Sequence, residues 1–130
     1  MKSWTDLLIV FLGGGSGAVC RYLLTGIIGA RLGTGFPYGT MAVNTAGSFL
    51  IGLITFYFAY GHNIAVPEQL RLLAVVGFLG GFTTFSSFAL ESLTLAQNQS
   101  VGTAAANVAG NMFFTLLAVA AGMLTARSFS

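Results

Sequence analysis

The sequence predicts an all-α membrane protein: four transmembrane helices in one domain covering residues 1–130. Three observations carry this. Hydrophobic residues make up 55% of the chain and charged residues 6%, where a soluble domain carries about 25% charged. Four apolar stretches each reach the roughly 20 residues that a helix needs to cross the hydrocarbon. The segments between them are short and hold the chain's breakers. Five Lys/Arg and three Asp/Glu cannot cover a water-facing surface for this much apolar side chain. A soluble enzyme and a disordered tail are thereby disfavoured. So is a nucleic-acid module, which needs clustered Lys/Arg; the five here are widely spaced.

The first span runs from Leu7 to Ile28. A cleaved leader is the weaker reading of it, because Val19 stands before Cys20 where a small residue is wanted and apolar sequence continues to Ile28. Arg31 to Pro37, with Gly33 and Gly35, separates it from the second span, Tyr38 to Tyr60. Gly61 to Pro67, with His62 and Asn63, leads to the third span, Leu70 to Gln97. Gln97 to Ser100 leads to the fourth, Gly102 to Thr125. Connections this short make consecutive helices antiparallel neighbours. Four Gly-xxx-Gly pairs (Gly13/Gly17, Gly29/Gly33, Gly35/Gly39 and Gly77/Gly81) are weak evidence for close helix packing in a chain with 18 glycines.

Charge gives almost no orientation. Lys2, Arg71 and Arg127 fall on one side, Arg31 and Arg21 on the other. Either a short chain simply has few charges, or it inserts both ways and pairs as an antiparallel dimer. Four helices barely enclose a polar path, which also favours a second copy.

Polar residues inside the spans recur at helical spacing. Thr40, Asn44 and Ser48 form one stripe; Thr103, Asn107, Asn111 and Thr115 form another; Thr84, Ser87, Glu91 and Thr94 a third. Hydrogen-bonded glue between helices, at about 0.6 kcal/mol per bond, explains one stripe. Three stripes in so short a chain point to a lined pathway. Glu91 is the only carboxylate well inside a span, about two turns from its end, and reads as an end-of-helix group. Arg21 is the only base within a span and has the reach to snorkel to the interface. With one histidine, His62, in a loop, neither a catalytic triad nor a zinc site has anything to build on, and the chain is not expected to be an enzyme.

The stretch from Gly77 to Phe88 is the most informative. Three glycines and two β-branched threonines, Thr83 and Thr84, interrupt an apolar span, so an unwound turn is expected there. Such backbone survives at membrane depth only against protein, water or an ion. Freed carbonyls suit a small cation, and freed amides suit an anion. Phe85 and Phe88 share a face, and ring edges carry positive potential that can hold an anion without a full charge.

These residues resemble the Fluc (CrcB-type) fluoride channels of bacteria. The resemblance covers nearly the whole chain, through Gly17-x-x-x-Arg21, Tyr38-Gly39-Thr40 leading to Asn44, and Gly80 to Phe88 with Glu91. It implies a multi-pass protein of the bacterial inner membrane, an antiparallel dual-topology homodimer with two pores, and passive export of fluoride giving fluoride resistance. It implies that Phe85 and Phe88 meet fluoride with their edges, that Asn44 donates its amide, and that Ser86 and Ser87 donate hydroxyls. The carbonyls of Gly80 and Thr83 would hold a structural sodium ion on the dimer axis, with Arg21 a vestibule or structural charge. The track of Thr103, Asn107, Asn111 and Thr115 matches the family's fourth-span face, though its two asparagines depart from the usual pattern. The alternative is a small four-helix multidrug/proton antiporter, which needs a carboxylate deep in the first span; only Asp6, at its start, is there.

Overall fold

The computed structural model describes residues 3–60 and 67–129, so Lys2, His62 and Asn63 lie outside the described residues. Four helical spans are long and apolar enough to cross a bilayer: Trp4–Leu32, Tyr38–Ala59, Glu68–Asn98 and Val101–Arg127. Among the described residues there is no strand.

Helix α1 (Trp4–Leu32) starts at Ser3, whose hydroxyl accepts from the Thr5 amide at 3.2 Å while Asp6 accepts from the Ser3 amide at 3.0 Å. This reciprocal cap places the only acidic residue of the first span at its very end. Gly33, at φ 87°, ends the helix in a backbone conformation that side chains rarely adopt. The resulting 29 residues extend roughly 43 Å, longer than the hydrocarbon and consistent with tilt. Helix α2 (Tyr38–Tyr60) follows after a short connection.

The third span is composite. A first turn, α3 (Glu68–Arg71), carries the Glu68–Arg71 ion pair at its exposed face. The chain then widens into a π-helical segment over Leu72–Leu79 and closes with the short α4 (Gly80–Phe82). Thr83 and Thr84 are extended, with φ/ψ of −86°/156° and −149°/120°. Helix α5 (Phe85–Asn98) resumes from Thr84, whose hydroxyl accepts from the Ser87 amide at 3.2 Å. Helix α6 (Val101–Arg127) begins at Ser100, capped in the same way through Thr103. The expected interruption is present, but its place is a refinement. Gly77, Gly80 and Gly81 stay helical, and the two β-branched threonines carry the break.

Two seams organise the helices. α1 packs along the π segment and α4, and α2 packs along α6. In the first seam, a methyl group on Gly13 would lie 2.5 Å from the Leu73 carbonyl and 3.0 Å from Gly77 Cα. One on Gly17 would overlap the Phe78 carbonyl, and one on Gly81 the Gly14 carbonyl. Two of the four Gly-xxx-Gly pairs therefore meet each other, backbone against backbone. The buried apolar core is small, chiefly Val43, Leu79, Phe82, Phe88 and Leu95, while Phe11, Leu90, Leu116 and many others face outward. That exterior fits a lipid environment.

Candidate functional site

The break frames a cleft of about 310 Å³ between α2, both halves of the third span and α6. Asn44, Gly80, Thr83, Phe85, Phe88, Asn111 and Thr115 all line it, with Ser48 and Thr84 beside them. Residues from three stripes of the sequence thus converge on one space. Phe85 and Phe88 present rings 5.4 Å apart, inclined at 59°. Phe88 is buried, whereas Phe85 is 76% exposed.

Asn44 holds the break open. Its Oδ1 accepts from the Thr84 amide at 2.8 Å, and its Nδ2 donates to the Thr84 carbonyl at 3.0 Å. The side-chain amide thereby replaces a strand partner for one extended residue. The same Nδ2 reaches Asn111 Oδ1 at 3.3 Å. Asn111 Nδ2 donates to Asn107 Oδ1 at 3.0 Å, Asn107 Nδ2 to Ser92 Oγ at 2.9 Å, and Ser92 Oγ to the Phe88 carbonyl at 2.7 Å. This is a one-directional run of neutral hydrogen bonds from the break into the α5–α6 contact. Asn107 has no exposed surface and Asn111 only 4%. Buried amides need such partners, because each unmade bond costs about 1–3 kcal/mol.

Several expected residues stand apart from the cleft. Ser86 and Ser87 occupy the first turn of α5, within 3.3 Å and 3.1 Å of Thr84 Oγ1. Asn107 lies inside the α5–α6 contact rather than on the cleft wall. Thr103 caps α6, donating from Oγ1 to the Ser100 carbonyl at 2.9 Å, and is not brought to the cleft. Arg21 does not snorkel freely: its Nε donates to the Gly81 carbonyl at 3.1 Å, from the opposite side of the break. Ser92 was not singled out in the sequence; its four-residue step from Phe88, one position beyond Glu91, was the available signal.

A second cavity of about 500 Å³ lies between the α1–α2 connection and α5, lined by Thr25, Thr40, Glu91, Thr94, Asn98 and Gln99 among others. Glu91 Oε1 accepts from Thr40 at 2.7 Å, and its Oε2 is buried without a partner. Thr40 and Asn44 are one turn apart on α2, and Phe88 and Glu91 about one turn apart on α5, so one helical step separates the two spaces.

Among the described residues no group of three or more His, Cys, Asp or Glu could hold a metal ion. Backbone oxygens at the break are differently placed. In an unbroken helix the Gly80 carbonyl would accept from the Thr84 amide and the Thr83 carbonyl from the Ser87 amide. Here those amides donate to Asn44 Oδ1 and Thr84 Oγ1 instead. Both carbonyls lose their helical donors, and both residues line the cleft, so the pair fits a small hard cation.

Four apolar spans, one of them broken beside neutral polar groups and paired rings, define a multi-pass membrane protein. Residues 8–123 match the family described as CrcB-like protein, Camphor Resistance (CrcB), and the chain belongs to that family. It is 44% identical over 118 residues to the "Fluoride-specific ion channel FluC" of Magnetococcus marinus, covering 91% of this chain and 94% of that one. It is 40% identical over 123 residues to the protein of the same name from Rhodopseudomonas palustris, covering 95% and 98%. The Geobacter metallireducens protein of that name is 41% identical over 121 residues, covering 93% and 96%. These relatives are bacterial and carry the name of a channel, which places this chain in the plasma membrane and outside the enzymes.

Proposed function

We propose that this chain is a fluoride-selective passive channel that exports cytoplasmic fluoride and so confers fluoride resistance. The observation that carries the reading is the break at Thr83–Thr84, which sets the tilted rings of Phe85 and Phe88 beside a cleft lined by uncharged polar residues. Fluoride is small and strongly hydrated, so its passage requires donors that stand in for water. Ring edges, the hydroxyls of Ser86 and Ser87 and the first turn of α5 supply partial positive potential. Because none of these is a full charge, the ion can leave as well as enter. Asn44 supports this chiefly by fixing the break, since its amide protons are directed at the Thr84 carbonyl and Asn111. Asn107, Asn111 and Thr115 form the polar backing of the path. The rigidity of the hydrogen-bonded run suits a narrow bore that rejects chloride.

Energetically the direction follows from acid–base chemistry. Hydrogen fluoride enters as a neutral weak acid and dissociates inside. A cell-negative potential then drives the anion outward with about 2.3 kcal/mol per 100 mV.

The functional unit in this reading is an antiparallel homodimer. Phe85 and Gly80 are both exposed at the cleft, which leaves room for a second copy to complete the ring pair and the cation site. Two carbonyls from each copy, Gly80 and Thr83, would hold a sodium ion that neutralises the converging carbonyl dipoles. The antiporter alternative has no support in α1, whose only carboxylate is taken up by the cap at Ser3.

Efflux of fluoride and chloride from liposomes, side by side, tests the reading. Fluoride alone is expected to leave, and Phe85→Ile and Phe88→Ile are each expected to slow it at least about tenfold, a barrier increase of about 1.4 kcal/mol. Unchanged efflux in both variants would remove the ring-edge role. An experimental structure lacking twofold-axis density near Gly80 and Thr83 would remove the sodium.

A further inference from the structure

Gly13, Gly17 and Arg21 stand at four-residue steps on one face of α1. The two glycines let that face meet the backbone of the π segment and α4, and Arg21 ends the seam with its bond from Nε to the Gly81 carbonyl. In an unbroken helix that carbonyl would accept from the Phe85 amide. The extended threonines carry Phe85 away into a new helix, so the Gly81 oxygen is stranded at the end of the first half-span. Arg21 lines neither the cleft nor the second cavity.

We propose that Arg21 is a positioning residue that acts by hydrogen bonding rather than by charge. Its Nε–H replaces the helical donor that the break takes from Gly81. This fixes the end of the half-span, and with it the neighbouring Gly80 and Thr83 carbonyls, on the side opposite to Asn44. One break is thus pinned from two sides: α2 holds Thr84 through Asn44, and α1 holds Gly81 through Arg21. The role is assigned within the fluoride-channel reading and rests on it.

Side-chain geometry separates bond from charge. In Arg21→Gln, the amide nitrogen lies as many bonds from Cα as the Nε it replaces, so the donor stays and the charge goes. In Arg21→Lys, the charge stays and a methylene occupies that point. Arg21→Met removes both. Fluoride efflux from liposomes is measured for the wild type and all three variants, each first confirmed as a monodisperse, helical protein. Arg21→Gln is expected within about threefold of wild type, and Lys and Met at least about tenfold lower, the scale of one buried hydrogen bond. Wild type and Arg21→Gln should also respond alike to added inert salt, which would weaken a charge acting through solvent. Lys at the wild-type rate with Gln tenfold down, or all three variants lowered alike or unchanged, overturns the proposal. Wild-type protein that passes no fluoride overturns the channel reading instead.

Discussion

The two sides of the break are built from opposite materials. On the α1 side, glycine faces glycine, the backbones nearly touch, and Arg21 sends a side-chain bond across the seam. On the α2–α5–α6 side, amides and hydroxyls run continuously from Thr84 to Phe88 by way of Asn44, Asn111, Asn107 and Ser92. The first side is steric: it sets where the half-span lies and leaves no room for a methyl group at Gly13, Gly17 or Gly81. The second is polar: it presents donors and acceptors to the cleft and satisfies those that are buried. A break in a membrane helix needs both, because loosened backbone must be placed by packing and paid in hydrogen bonds that water cannot supply.

The largest effect is expected where packing is tightest. Gly17→Leu puts a branched side chain into the Phe78 carbonyl and the Phe82 amide, both backbone, so no rotamer relieves it. A loss of at least about 3 kcal/mol is expected, at or beyond the usual range for overpacking. Size-exclusion profiles should show aggregated or absent protein. A monodisperse, conducting Gly17→Leu protein would mean that this seam can open, and the contrast between a steric and a polar side would fail.

Asn44→Ala comes next. It leaves the Thr84 amide and carbonyl without partners at membrane depth, together with Asn111 Oδ1. The glycine seam is untouched, so the protein should still fold, with stability lowered by about 1–3 kcal/mol. Fluoride efflux should fall at least about tenfold while the size-exclusion profile is retained. Folding lost as completely as in Gly17→Leu would show that the polar side also sets placement.

The four spans were legible because hydropathy and breakers act locally. Their ends moved by a few residues: the first extends from Leu7–Ile28 to Trp4–Leu32, where Ser3, Asp6 and Gly33 supply the caps. The interruption between Gly77 and Phe88 was legible from composition, but its position was not. The glycines are held helical by α1, and Thr84 is free to extend because Asn44, forty residues away, provides its partner. The π segment had no local signal; it lies where the third span packs along α1. In the site, the stripes of Asn44, Asn107 and Asn111 were readable from four-residue spacing. The pairs Thr40–Glu91 and Asn107–Ser92 were not, since spacing gives a face and says nothing of what meets it.

The smallest effect is the sharpest probe of where the steric side ends. Gly15 lies between Gly13 and Gly17 in sequence, yet a methyl group there would meet nothing within 4 Å. The helix turns it outward, away from the third span. Gly15→Ala should therefore cost no packing and should gain up to about 1 kcal/mol from helix propensity. Efflux is expected within about twofold of wild type, with thermal stability equal or slightly higher. The neighbouring Gly13→Ala provides the contrast, because its methyl would sit 2.5 Å from the Leu73 carbonyl. If Gly15→Ala lowers stability as Gly13→Ala does, its face is covered by a second copy of the chain instead of lipid. The steric seam would then extend to that second copy, with α1 packed against helices on two sides.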